Sequence, residues 1–160
     1  LEHCASCERI QCARLGLSDS AGYIEMHYGE ASDVTSTYKI KGMRQHDEYY
    51  QSSILCATTT GSAYLRETGI DQVDLLKIDV EGYEWFVLQG AKNILKSTNL
   101  KYILIELNES GAKFSITDTQ IHELLLENGF YPYSYDYNDK VLKKITTYRK
   151  DKFNTLYVKE

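Results

Sequence analysis

The chain has 160 residues, a net charge of -5, 42% hydrophobic residues and 26% charged ones. That length suits one domain able to bury a core, and the composition is globular rather than disordered or fibrous. The acidic balance argues against a nucleic-acid surface, and no apolar run approaches the length that spans a bilayer.

Near the start, Cys4-x-x-Cys7 looks like half a zinc site, but no second Cys or His pair follows at matching distance. Reduced thiols are the leading reading for Cys4, Cys7, Cys12 and Cys56. A cluster completed by His3 and Cys12, or a disulfide, are the alternatives. Weak alternation predicts a strand near residues 10–15, followed by a turn at Ser18-Asp19-Ser20-Ala21-Gly22. Tyr23 to Tyr28 alternates as a half-buried strand does. Residues 29–53 are polar and rich in Ser, Thr and Tyr, and read as a long excursion with a short strand at 37–41.

Ile54 to Thr58 is another short strand. Thr60 or Ser62 can cap a helix running through Arg66, with Gly69 at its exit. Val73 to Val80 reads as a strand buried on both faces of a parallel sheet. A helix from about Tyr83 to Lys96 follows, with Val87, Leu88, Ala91, Ile94 and Leu95 on one face. Tyr102 to Ile105 is a second buried strand. Thr117-x-x-Gln120 predicts a capping box before a helix carrying Ile121, Leu124 and Leu125, which Gly129 closes. Tyr131, Tyr133, Tyr135 and Tyr137 alternate along a strand, and Asn138-Asp139 makes a turn. Residues 141–145 extend that excursion, and Phe153 to Lys159 is a final strand. Fourteen tyrosines against four phenylalanines imply aromatic surface that is half exposed. The basic cluster Lys143, Lys144, Arg149, Lys150 and Lys152 reads as a solvated face.

Strand–helix alternation implies an α/β fold with right-handed crossovers and a mostly parallel sheet. Two final strands with no helix between them imply a terminal antiparallel hairpin. The whole chain reads as one domain.

Asp79 and Glu81 fall where the buried strand ends, and Glu106 follows the second apolar run. Open α/β sheets place ligands at such carboxyl strand ends. Acids converging there call for a ligand, a cation or a shared proton. A competing assignment makes Asp79 or Glu81 a cap of the next helix. Lys77, mid-strand, needs an acid partner. Ser18 and Asp19, after the first strand, are either an ordinary turn or a ligand contact.

The stretch DLLKIDVEGYEWFVLQG, Asp74 to Gly90, resembles the signature of FkbM-type methyltransferases. The likeness extends through Ala91, Ile94-Leu95 and Tyr102 to Asn108. It includes Gly16 to Gly22, Thr59-Thr60, Tyr64-Leu65 and Asn154 to Val158. Gly61-Ser62 stand where that family usually carries a Leu-Asp pair. The resemblance implies a Rossmann-like class I methyltransferase fold, S-adenosylmethionine as cofactor, and methylation of oxygen on a small-molecule hydroxyl acceptor such as a sugar. It assigns Asp79, Glu81 and Glu106 to catalysis, places Ser18 and Asp19 near the adenine, and assigns no metal ligand. The family's glycine-rich loop after strand one and its acid after strand two have no counterpart, because no Gly-x-Gly occurs. The chain therefore reads as a carboxyl-terminal portion lacking the first two strands. Two further functions compete: a non-catalytic binding domain derived from such an enzyme, and a Mg2+- or Mn2+-dependent hydrolase using the three acids.

Overall fold

The described strands pair into two sheets. The computed structural model describes residues 10–28, 52–151 and 153–160. The Cys4-x-x-Cys7 motif, the strand predicted at 37–41 and Lys152 lie outside these. The shorter sheet holds β1 (Gly16–Leu17), β2 (Gly22–Tyr28) and β3 (Ser52–Thr59), in the order β1-β3-β2. β1 runs parallel to β3 and β2 antiparallel to it. The strand predicted at 10–15 does not form; pairing starts only at Gly16.

The larger sheet holds β4 (Leu75–Ile78), β5 (Tyr102–Glu106), β6 (Phe130–Asp136), β7 (Val141–Lys144) and β8 (Asn154–Lys159), in the order β4-β5-β8-β6-β7. β4 and β5 are parallel neighbours, and β8 is inserted antiparallel between β5 and β6. The expectation of a mostly parallel sheet is corrected here. Only β1–β3 and β4–β5 pair in parallel among the described residues, while four pairs are antiparallel. The cause is local: no helix separates β6, β7 and β8, and β7 and β8 flank β6 on either side, both running antiparallel to it. Residues 141–144 are not a mere excursion but the edge strand β7, paired with β6.

Thr60, not Ser62, caps α1 (Gly61–Thr68), and Gly69 ends it in the left-handed conformation. The helix predicted over 83–96 is two helices, α2 (Glu84–Gly90) and α3 (Lys92–Lys96), joined at Ala91. The predicted capping box of Thr117 and Gln120 opens α4 (Asp118–Glu127). A 3₁₀ turn at Ser110–Phe114 follows β5. The helices meet one face of the larger sheet. Ile78, Ile103, Ile105, Phe130 and Tyr157 from that face join Val87, Leu88, Leu95, Ile121 and Leu125 in a single core. At ~1.5–3 kcal/mol for each fully buried large apolar side chain, this layer supplies the main stabilisation.

β4 departs from the reading of a strand buried on both faces. Leu75 is 54% exposed and Val80 39%. β4 is an edge strand of its sheet, and the described helices cover only the face of Ile78. The basic cluster resolves into surface ion pairs: Lys143 with Asp136 and Asp139, Lys144 with Glu160, and Arg149 with Asp151. No helix among the described residues is long and apolar enough to cross a membrane.

Candidate functional site

β4 and β5 are in register, with Ile78 beside Ile105. The residues that end these strands therefore emerge side by side. Asp79 follows Ile78, Glu81 lies two residues further on, and Glu106 is the last residue of β5. Each offers one carboxylate oxygen, and these oxygens lie within 4.8 Å of one another.

Three acids this close repel unless charge is balanced or protons are kept. Lys77 precedes Asp79 by two residues, so strand alternation puts both on one face. Its Nζ lies 2.6 Å from Asp79 Oδ2. That hydrogen bond is the main reason the Asp79 carboxyl sits below its ordinary range. Glu106 moves the other way: partial burial raises it first, then the charge of Asp79 and a hydrogen bond with it, then Glu81 and Glu84. The two carboxyls are thus pushed in opposite directions, Asp79 down and Glu106 up, a split that suits acid–base work.

The loop after β4 is tightly shaped. Glu81 has φ 53° and Gly82 φ 97°. A Cβ at Gly82 would collide with the Ser110 carbonyl oxygen, so glycine is required on both counts. The Glu84 side chain turns back into this loop. Its Oε1 accepts from the N–H of Val80 at 3.2 Å and of Gly82 at 3.1 Å. Burial pushes the Glu84 carboxyl up, and the backbone donors and Lys113 oppose that rise. Lys113 Nζ donates to the Glu81 carbonyl at 2.5 Å. The helix-cap assignment for Asp79 or Glu81 is corrected: α2 starts from Tyr83 with no side-chain cap.

Ser18 and Asp19 follow β1. The Ser18 N–H donates to the Thr59 carbonyl at 2.9 Å, and its side chain is buried. Its hydroxyl donates to Asp19 Oδ1 at 3.1 Å and meets the Tyr83 hydroxyl at 3.1 Å. Gly90 of α2 packs so closely on the Ser18 carbonyl that a Cβ there would overlap it. The smaller sheet is thus tied to the start and end of α2. Asp19 is exposed and also accepts from Ser20 Oγ at 3.0 Å. Tyr83, Phe86 and Phe114 form an aromatic cluster, with ring centroids 4.5 to 5.6 Å apart.

Sequence reasoning missed three contributors. Glu84 stands two residues after Gly82 in the first turn of α2, where an acid is ordinary and carries no special signal. Tyr83 and Lys113 carried no signal, since their partners lie 65 and 32 residues away in the chain. The tyrosine alternation is a strand face whose end is exposed, with Tyr135 and Tyr137 in edge contact at 5.1 Å.

Comparison with known proteins adds one match. The family model described as Methyltransferase FkbM domain covers residues 2–132, most of the chain. No curated protein and no solved structure matches it.

Proposed function

Because the chain belongs to the FkbM methyltransferase family, we propose that it moves a methyl group from S-adenosylmethionine to the oxygen of a hydroxyl-bearing small molecule, with sugars the favoured acceptor class. The observation carrying this reading is the convergence of Asp79, Glu81 and Glu106 at adjacent parallel strand ends, with Asp79 and Glu106 shifted in opposite directions.

The residues present fit the cofactor in part. Asp19, an exposed carboxylate after β1, has the chemistry to accept from the adenine amine, and Ser18 fixes it through their hydrogen bond. No Gly-x-Gly occurs in the 160 residues to provide the usual close approach for the methionine end. Bound S-adenosylmethionine supplies an electrophilic methyl carbon on a sulfonium. The acids act on the acceptor. Asp79, ionised and held by Lys77, accepts a hydrogen bond from the acceptor hydroxyl and orients its oxygen. As the new carbon–oxygen bond forms and the methyl–sulfur bond breaks to leave a neutral thioether, the hydroxyl proton passes to Asp79, and Glu106, the more basic carboxylate hydrogen-bonded to Asp79, receives it in turn. Glu81 completes the anionic wall. Tyr83, Phe86 and Phe114 supply apolar surface beside the loop.

The test is transfer of tritium from methyl-labelled S-adenosylmethionine to a panel of free sugars and glycosides by the native protein. Label found in no hydroxyl acceptor would count against the assignment. The oxygen convergence within 4.8 Å also favours a second reading, a Mg2+- or Mn2+-dependent hydrolase. Calorimetric titration with Mg2+ and Mn2+ separates the two, because the methyl-transfer reading requires no stoichiometric heat.

A further inference from the structure

We propose that Glu84, backed by Lys113, is a positioning residue that fixes the direction of the Glu81 carboxylate. The functional half of this proposal rests on the methyl-transfer reading of the acids, whereas its geometric half stands alone.

Glu84 is only 3% exposed. A carboxylate so buried is costly unless its oxygens are satisfied. The donors it has collected are telling. They include the N–H groups of Val80 and Gly82, the residues directly before and after Glu81, and both reach the same oxygen. One side chain therefore grips the backbone on each side of the acid. Neither of these two belongs to α2, although the Glu84 N–H, the first of that helix, also supports the carboxyl. Helix capping alone would not call for this arrangement.

Glu81 needs such a grip for two reasons. Its φ of 53° lies in the left-handed region, which is sterically unfavourable for a residue with a Cβ. Released, it would relax to negative φ and swing its side chain to a new direction. Its carboxylate also stands close to those of Asp79 and Glu106, and like charges push it away. Lys113 reinforces the loop by donating to the Glu81 carbonyl. Lys113 belongs to the 3₁₀ turn after β5, the strand that ends in Glu106. The contact thus couples the backbone of one acid to the loop that leaves the other. Glycine at position 82 lets the Ser110 carbonyl close in from that same turn.

Two side-chain variants test this in the native protein. Glu84→Gln keeps an acceptor oxygen for the two N–H groups, whereas Glu84→Leu removes it. Backbone couplings and carbon shifts report the Glu81 φ by NMR, and hydrogen exchange reports the Val80 and Gly82 amides. We expect Glu84→Gln to resemble wild type. In Glu84→Leu, Glu81 should move to negative φ, and the two amides should exchange about 10-fold faster or more. Labelled-methyl transfer should then fall on the order of 10²-fold in kcat in Glu84→Leu, with the acceptor KM within about 3-fold, as for a displaced group. Glu84→Gln should restore most of it. An unchanged Glu81 φ in folded Glu84→Leu overturns the positioning role. So does full turnover in a variant whose Glu81 has relaxed. Should Glu84→Leu fail to fold, Glu84→Ala carries the same NMR comparison, and an unchanged Glu81 φ there overturns the proposal. A wild-type protein that transfers no methyl group overturns the functional half alone, since the NMR comparison needs no substrate.

Discussion

Replacing Asp79 by Asn removes one charge from the acid cluster while keeping shape and hydrogen-bonding capacity. The stability cost should be small. The Lys77–Asp79 pair is partly exposed, with side chains 53% and 39% accessible. Ion pairs of that kind contribute about 0–1 kcal/mol. Part of even that is offset, because Asp79 also repels Glu106 and Glu81. The loop N–H groups of Val80 and Gly82 are held by Glu84, so losing the Asp79 charge frees neither. For a chain of this size, ~1 kcal/mol corresponds to roughly 2–4 °C in Tm. The effect on methyl transfer should be far larger, about 10²-fold or more in turnover, the range for a lost positioning or acid–base group. That is ~2.7 kcal/mol of transition-state stabilisation. Glu106 supplies a second readout. The Asp79 charge and hydrogen bond rank behind only burial in raising its carboxyl. In Asp79→Asn the Glu106 titration, followed by carboxyl 13C NMR, should therefore move down toward the ordinary value. Cofactor affinity should change little. Near-normal turnover in a stable Asp79→Asn protein would refute the catalytic assignment, and an unmoved Glu106 would refute the coupling.

Other outcomes follow from the same geometry. Glu84 is raised above 4.5 in the fold, chiefly by burial. Its contribution to stability is complete below about pH 4.5 and is lost as pH rises through the raised folded value. Urea unfolding across pH should show wild type losing stability relative to Glu84→Gln over that window, and a constant difference would contradict it. Gly82→Ala meets both a positive φ and the Ser110 carbonyl, and should cost on the order of 2–4 kcal/mol in the same assay. A harmless Gly82→Ala would mean that the loop is not held as described. His122 Nδ1 lies 2.8 Å from the Tyr157 hydroxyl, both buried. Burial lowers the His122 pKa below 6.5, so stability should fall as pH drops from 6.5 through the lower folded value. Tyr157→Phe should cost about 1–3 kcal/mol by leaving His122 without this partner, and an unchanged midpoint would discount the pair. For the 160 residues alone, calorimetry should find weak S-adenosylmethionine binding, since no Gly-x-Gly is present. Micromolar affinity would overturn that expectation.

Local chemistry was legible wherever a residue's partner lay within one element. The Thr117 cap, the Gly69 exit, a cap at Thr60 or Ser62 and the need of Lys77 for an acid partner were readable, because each is decided within a few residues. So was the parallel pairing of β4 and β5, since two apolar runs joined by helical pattern leave little choice. What failed depended on distant neighbours. The pattern of Leu75 to Val80 cannot report whether a second helical layer covers it, and here the described helices cover one face. Continuous apolar spacing over Val87 to Leu95 could not reveal the break at Ala91. The grip of Glu84 and Lys113 on Glu81 was invisible because its meaning lies in φ and in a carbonyl contact, neither of which hydrophobic periodicity encodes.

The candidate site is therefore better understood as a joint between two loops than as three acids on two strands. In-register parallel pairing brings Asp79 and Glu106 together without any loop geometry. Glu81 has no such guarantee, because it lies beyond the strand and in a left-handed conformation. Its place depends on Glu84 from α2, on Lys113 from the turn after β5, and on glycine at 82. The sheet thus supplies a rigid pair of carboxyls with separated proton affinities, and the loops supply a third acid whose position is conditional. Changes at Asp79 or Glu106 should act on chemistry with little structural cost. Changes at Glu84, Gly82 or Lys113 should act first on the conformation of Glu81, and on chemistry only through it. That ordering distinguishes a built site from a chance cluster of surface acids, in which none of these backbone contacts would affect turnover.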